Sequence, residues 1–115
     1  MEGLKRIGPA LRYSLAGLGA AFRHEAAFRQ EVLLALILVP TALLLPVSAL
    51  GKALMIASVL LVLIVELINS AIEAAVDRVS LENHPLAKRA KDLGSAAVFM
   101  SLANAVIIWL LVLLA

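Results

Sequence analysis

The sequence contains no cysteine, few aromatic residues and few charges. Without cysteine the chain has no disulfide bond, no thiolate metal site and no cysteine nucleophile. Charged residues make up only 16% of its 115 residues and aromatic residues 4%, whereas about a quarter of an average soluble protein is charged. The 10 Lys and Arg barely outnumber the 8 Asp and Glu, and they form no dense basic run. Nucleic-acid binding is therefore not expected.

The chain is instead rich in aliphatic residues. Hydrophobic residues make up 63% of the chain, and the mean hydropathy is +1.05. One small domain has too much surface to hide this much apolar material from water. A soluble all-helical domain, the alternative, would have to bury three long apolar segments at once. We therefore expect a membrane protein.

Charge placement divides the chain into three apolar segments. No charged residue lies between Glu31 and Lys52, between Lys52 and Glu66, or from Gly94 to the C-terminus. A helix of about 20 residues crosses a hydrocarbon core of about 30 Å, and the middle segment reaches this length by continuing past Glu66. We predict an all-α integral membrane protein, one domain over 1–115, with transmembrane helices at 31–48, 51–78 (with a cytoplasmic extension) and 85–115 (with a cytoplasmic start).

Proline and glycine mark the connections between these helices. Residues 46–51 (PVSALG) predict a turn after the first span, and residues 80–85 (SLENHP) predict the second connection. Asn83 is a candidate helix cap, and Pro85 suits a first helical turn. Pro40 lies inside the first span, where a kink is tolerated if neighbouring groups satisfy the freed carbonyl.

Residues 4–29 predict an amphipathic helix that lies on the membrane surface and precedes the first span. Its apolar residues recur at three- and four-residue steps and form one stripe: Leu4, Ile7, Leu11, Leu15, Leu18 and Phe22. Charged residues prevent this stretch from spanning the membrane: Lys5, Arg6, Arg12, Arg23 and Glu25.

The distribution of Lys and Arg predicts the orientation. Nine of the 10 basic residues lie before the first span or between residues 78 and 91, and only Lys52 lies in the other loop. The positive-inside rule therefore places the N-terminus and the 78–92 connection in the cytoplasm. The C-terminus is expected on the opposite, periplasmic or extracellular side.

Five polar residues share one face of the second predicted span: Glu66, Asn69, Ser70, Glu73 and Asp77. At about 100° per residue, all of them fall within about 60° of the first. Ionisable groups inside a membrane usually face the bundle interior and mark a function, although a structural polar seam between helices is the alternative. Two such carboxylates could divide their roles, one binding a hard cation such as Mg²⁺ together with substrate phosphates and the other accepting a proton.

Three motifs in this chain resemble those of the prokaryotic diacylglycerol kinases, a family of small integral membrane enzymes. They are EAAFRQE at 25–31, VELINSAIEAAVDRV at 65–79 and AKRAKDLGSAAV at 87–98, and the resemblance extends from about Arg6 to Trp109. It implies transfer of the ATP γ-phosphate to the free hydroxyl of diacylglycerol, which gives phosphatidic acid. It also implies a homotrimer in the bacterial inner membrane, with active sites shared between subunits.

The resemblance also implies roles for individual residues. Glu66 corresponds to the catalytic base that accepts the proton of the lipid hydroxyl, and Glu25 and Glu73 correspond to the carboxylates that bind the Mg²⁺ on ATP. The implied nucleotide-contacting residues are Arg6, Tyr13, Glu25, Asn69, Glu73, Asp77, Glu82, His84, Lys91 and Asp92. The implied lipid-contacting residues are Gln30, Glu66, Ser95 and Trp109.

Some residues depart from the family pattern, and two other functions stay open. Phe22 stands where relatives often carry a tryptophan, and Asn83 replaces an aromatic residue of some relatives. An undecaprenol kinase of the same superfamily would keep the same acids, although EAAFRQE and Trp109 favour diacylglycerol. A non-enzymatic proton-relay or channel-like protein, with Glu66 as the relay, would not explain the charged residues gathered at the cytoplasmic side.

Overall fold

The computed structural model describes residues 2–79 and 84–115, which form four α-helices. The helices are α1 (Glu2–His24), α2 (Ala26–Leu44), α3 (Ala49–Val79) and α4 (Pro85–Leu114). The described residues include no strand. α2, α3 and α4 are each long and apolar enough to cross a membrane. The predicted fold, an all-α membrane protein with three spans after an N-terminal helix, is confirmed.

α3 is the central helix of the bundle. It packs most extensively against α4 and less extensively against α2, whereas α1 makes few contacts with the rest of the chain. The apolar stripe of α1 stays uncovered, since its side chains are 40–60% exposed. The helices that follow α1 therefore do not supply the surface against which this stripe would be buried.

The N-terminal helix is shorter than predicted, because the chain leaves the helical conformation at Glu25. This residue is extended (φ −112°, ψ 105°), and α2 begins directly after it. Helix α1 thus ends five residues before position 29, and the first span begins five residues before position 31. The Arg29 guanidinium donates hydrogen bonds to the carbonyls of Phe22 (2.8 Å) and Arg23 (3.3 Å). These bonds satisfy carbonyl groups that the end of α1 leaves without helical partners.

The connection between α2 and α3 is also earlier and shorter than the predicted turn at 46–51. α2 ends at Leu44, although Pro40 lies within it, and α3 already begins at Ala49. The hydroxyl of Ser48 accepts a hydrogen bond from the Gly51 N–H at 3.0 Å, as an N-cap residue does. This cap explains why the helix begins two residues before the glycine.

α3 and α4 are antiparallel and closely packed along their length. At one end a Cβ on Gly51 would lie 3.0 Å from Val112 Cγ1. Further along, the Trp109 indole donates a hydrogen bond to the Met55 carbonyl at 3.1 Å. Near the other end, Gly94 lies against the side chain of Asn69. The two helices thus keep one register from the turn at Ser48 to the polar end of α3.

The start of α4 confirms the predicted position of Pro85 in the first turn. The cap is His84, whose Nδ1 accepts a hydrogen bond from the Leu86 N–H at 3.1 Å. The predicted cap Asn83 and the predicted nucleotide contact Glu82 lie outside the described residues.

Candidate active site

Four carboxyl groups from different parts of the chain converge near the middle of α3. Glu66 is buried there, with 6% of its surface exposed. Glu25, at the junction of α1 and α2, and Glu73, two turns further along α3, lie within Coulombic range of it. Glu31 of α2 lies within hydrogen-bonding reach of Glu66. The predicted base thus has one predicted metal ligand on its own helix and the other, at the end of α1, within Coulombic range.

Sequence reasoning missed Glu31 as a site residue. One of its carboxyl oxygens, Oε2, is buried and has no hydrogen-bond partner. Burial of a polar atom without such a partner is energetically unfavourable. Its place as the last residue of EAAFRQE, directly before an uncharged stretch, was the available signal. That position shows only that a motif ends at Glu31. The proximity of Glu31 to Glu66 depends on how α2 packs against α3, which the sequence pattern does not contain.

Asn69 links two of the predicted functional residues. It lies between Glu66 and Glu73 on α3, and its Nδ2 donates a hydrogen bond to Glu73 Oε1 at 2.8 Å. This bond joins residues one helical turn apart and restricts the orientation of the Glu73 carboxylate. Ser70, on the same face, lines an open groove between α1 and α3 together with His24 and Glu25. The polar face of α3 thus adjoins the end of α1.

A cavity of about 300 Å³ opens between α2, α3 and α4, next to the carboxyl cluster. Glu31 and Trp109 line it, and its remaining lining is aliphatic: Leu34, Ala35, Leu38, Val59, Val62, Leu102, Ala105, Val106 and Leu110. Among the predicted lipid contacts, Trp109 lines the cavity, and Glu66 lies next to Glu31, which also lines it. Gln30 and Ser95 are exposed on α2 and α4 and do not line the cavity.

The predicted nucleotide contacts on α4 lie near its exposed N-terminal end. Lys91 forms an ion pair with Asp77 of α3 (2.5 Å), and Asp92 forms one with Lys88 (2.6 Å). His84, the cap residue, is exposed as well. The four side chains of these two ion pairs are 45–77% exposed, so neither pair is buried.

Two further predicted nucleotide contacts, Arg6 and Tyr13, lie on the exposed surface of α1. The side chain of Tyr13 has few neighbours, since 75% of the residue is exposed. Within the single described chain, these two residues make no hydrogen bond or ion pair with the predicted contacts on α4. The predicted nucleotide contacts of α1 and those of α4 thus lie on two separate exposed surfaces.

The donor set of the cluster fits a metal ion that is bound together with phosphate. Among residues 2–79 and 84–115, no three His, Asp or Glu side chains are close enough to hold a metal ion by themselves. Glu25 and Glu73 supply two carboxylates, and Mg²⁺ is commonly held by one or two carboxylates with phosphate oxygens and water. A bound triphosphate would therefore complete the coordination.

Comparison with known proteins gives a family for this arrangement. The family model "Prokaryotic diacylglycerol kinase" matches residues 12–113. A diacylglycerol kinase of Pseudomonas aeruginosa is 64% identical over 112 residues, which cover 97% of this chain and 91% of the relative. Diacylglycerol kinases of Escherichia coli (52% over 111 residues; 96% and 91%) and Haemophilus influenzae (49% over 107 residues; 93% and 91%) are also similar. The resemblance seen in the motifs is confirmed, and this chain belongs to the prokaryotic diacylglycerol kinase family.

Proposed function

We propose that this protein transfers the γ-phosphate of ATP to the free hydroxyl of diacylglycerol, which gives phosphatidic acid and ADP. The observation that carries the proposal is the buried carboxyl group of Glu66, which lies at the boundary between the apolar and polar halves of α3. A lipid hydroxyl can reach this depth from the membrane, and a phosphate can reach it from the polar end of the helix. Membership of the family supports the same reaction.

Glu66 acts as the general base in this proposal. As the lipid oxygen attacks the γ-phosphorus, the Glu66 carboxylate accepts the hydroxyl proton, and the bond between the γ-phosphorus and the bridging oxygen breaks. ADP leaves with the electron pair of that bond. Since the protein forms no covalent bond to phosphate, positioning and charge neutralisation carry most of the catalysis. A base held within reach of the reacting hydroxyl typically contributes about 10²–10⁴-fold in rate.

Glu25 and Glu73 would hold the Mg²⁺ that accompanies ATP, and Asn69 orients Glu73 through its 2.8 Å hydrogen bond. When bound, the metal supplies positive charge that offsets the triphosphate and the nearby carboxylates. Lys91, which lies on the polar end of α4, offers a point charge to the phosphates. Its ion pair with Asp77 is exposed, so exchange of that partner for a phosphate has little desolvation cost.

The lipid approaches through the apolar cavity lined by Glu31 and Trp109. This cavity lies among the three spans and reaches Glu31, the neighbour of Glu66, so an acyl chain in it would leave the glycerol hydroxyl near the base. The uncovered apolar stripe of α1 supports a position of this helix on the membrane surface. Nine of the 10 basic residues lie at the same end of the bundle, which supports a cytoplasmic location of that end in the bacterial inner membrane.

A homotrimer with shared active sites fits the solvent exposure of the site within a single chain. Four of the predicted nucleotide contacts are Arg6, Tyr13, Lys91 and Asp92, which lie on the exposed surfaces of α1 and α4. Only 6% of the apolar stretch of α4 is buried within one chain. A second subunit packed against α4 would cover part of this surface and bring further polar side chains to the carboxyl cluster.

The direct test is a phosphorylation assay with the purified full-length protein in mixed micelles containing Mg²⁺, ATP and diacylglycerol. We expect phosphatidic acid to form, and the matched control Glu66→Gln to form almost none. Absence of product with the wild-type protein would contradict the proposal. Undecaprenol as the preferred substrate in a parallel assay would instead support an undecaprenol kinase, and proton flux across vesicles without ATP turnover would support a relay.

A further inference from the structure

The contact between α3 and α4 is closest at Gly94, where the backbone of α4 meets the side-chain amide of Asn69. A Cβ at position 94 would overlap Asn69 Oδ1, with the next amide atom, Cγ, at 3.2 Å. Glycines of α1 have no such restriction, since Gly3, Gly8 and Gly17 have no atom within 4 Å of the corresponding position. A side chain at position 94 would therefore have to displace the Asn69 amide.

The chemistry of Asn69 fixes which of its amide atoms faces which neighbour. The carboxylate of Glu73 can only accept hydrogen bonds, so the amide nitrogen of Asn69 faces it, at 2.8 Å. The amide oxygen Oδ1 consequently faces α4, where it is buried and has no hydrogen-bond partner. Asn69 is therefore held on one side by Glu73 and on the other only by the close backbone of α4.

We propose that Gly94 is a positioning residue for the metal site, because it leaves the space in which Asn69 Oδ1 can lie while Nδ2 holds Glu73. This inference rests on the proposed role of Glu73 as a metal ligand. A methyl group at position 94 would push the Asn69 amide out of its place, and Glu73 would lose the hydrogen bond that orients it. Loss of such an outer partner of a metal ligand typically lowers metal affinity about 10–100-fold.

Gly51 provides a matched control within the same helix pair. A Cβ there would lie 3.0 Å from Val112 Cγ1 and 3.3 Å from the Ser48 hydroxyl, neither of which belongs to the carboxyl cluster. Gly51→Ala therefore perturbs the packing of α3 against α4 without contact to Asn69. If glycine served only to let the two helices approach, Gly51→Ala and Gly94→Ala would have the same effect on metal binding.

The test measures binding of Mn²⁺ with a non-hydrolysable ATP analogue to the full-length protein in detergent micelles, by water-proton relaxation. We expect affinity to fall roughly tenfold or more in Gly94→Ala and to stay within about twofold of wild type in Gly51→Ala. In an Asn69→Ala background, Gly94→Ala should cause no further loss, because the atoms that would collide are gone. Unchanged binding by Gly94→Ala, an equal loss in Gly51→Ala, or additive losses in the double variant would each overturn the inference.

A folding defect in Gly94→Ala is also informative. The double variant Asn69→Ala/Gly94→Ala should then fold, since it removes the collision, and failure to recover folding would overturn the inference. The binding assay contains no lipid. The proposed function would therefore be contradicted if the wild-type protein binds the Mn²⁺ complex but does not phosphorylate diacylglycerol. In that case the variants alone would decide the inference about Gly94.

Discussion

The two halves of α3 face the same neighbouring helix but have different chemistry. Residues 49–65 are apolar apart from Gly51, Lys52 and Ser58, and they include the fully buried Met55. Residues 66–79 carry Glu66, Glu73 and Asp77 on one face. In the first half the contact with α4 includes the bond from the Trp109 indole to a backbone carbonyl. In the second half it includes the Lys91–Asp77 ion pair.

This difference separates the part of α3 that stabilises the bundle from the part to which we assign the chemistry. Polar groups in the apolar half bond to backbone carbonyls of their own bundle, as at Ser58, whose hydroxyl donates to Met55 O at 2.7 Å. In the polar half, several carboxylates lie close together although their mutual repulsion is unfavourable. Ionisable groups placed at such a cost inside a membrane helix usually serve a function. Substitutions in the two halves should therefore have different kinds of effect.

The largest effect is expected for Glu66→Gln, at the boundary between the halves. Turnover should fall by about 10²–10⁴-fold, because the amide cannot accept the lipid proton. Affinity for ATP should stay nearly unchanged, since Glu25 and Glu73 remain. The rate of lipid phosphorylation and calorimetric titration with ATP measure the two quantities. A loss of ATP affinity as large as the loss of rate would remove this residue from the role of base.

Glu73→Gln should have the next largest effect and belongs to the polar half alone. The glutamine keeps an oxygen that can accept the hydrogen bond from Asn69, but it lacks the charge that binds a hard cation. We expect the apparent Mg²⁺ requirement to rise roughly tenfold while the maximal rate at saturating Mg²⁺ falls less. A Mg²⁺ titration at constant ATP measures this change. If the titration curve matches that of the wild-type protein, Glu73 does not bind the metal.

Trp109→Phe tests the apolar half. The variant loses the 3.1 Å hydrogen bond to Met55 O, although that carbonyl keeps its bond from Ser58. The free energy of unfolding should therefore fall by about 1 kcal/mol, measured by reversible unfolding in mixed micelles. The control Phe99→Leu alters a ring that is 72% exposed and should be nearly neutral. Equal stability of the two variants would count against a stabilising role of the indole contact.

The smallest effect is expected for Lys88→Gln. Its ion pair with Asp92 joins two side chains that are 77% and 63% exposed and lie one turn apart on α4, so solvent screens their attraction. We expect no measurable change in the unfolding midpoint or in the KM for ATP. Lys91→Gln, which breaks the pair with Asp77 across α3 and α4, should raise the KM. A similar rise in both variants would indicate a general effect of positive charge.

Sequence patterns predicted the helices well and their ends less well. The charges of Arg29 and Glu31 suggested that the first span begins after them, but α2 already begins at Ala26. Both charges are accommodated by tertiary contacts, since Arg29 bonds to carbonyls of α1 and Glu31 lies beside Glu66. A count of uncharged residues contains no information about such partners. Prediction of the site has the same limit. The polar residues on one face of α3 could be predicted from helical periodicity, but the position of Glu31 beside them, on another helix, could not.

Three long apolar helices, an amphipathic N-terminal helix, the acidic face of α3 and membership of the family could all be read from the amino-acid sequence. These properties follow from charge placement, helical periodicity and motifs, which are local along the chain. Three contacts became visible only in the folded chain: Glu31 lies beside Glu66, Trp109 bonds to Met55, and Gly94 makes room for Asn69. Each of these contacts depends on the register and separation of two helices, which are set by the packing of complementary side chains across the bundle.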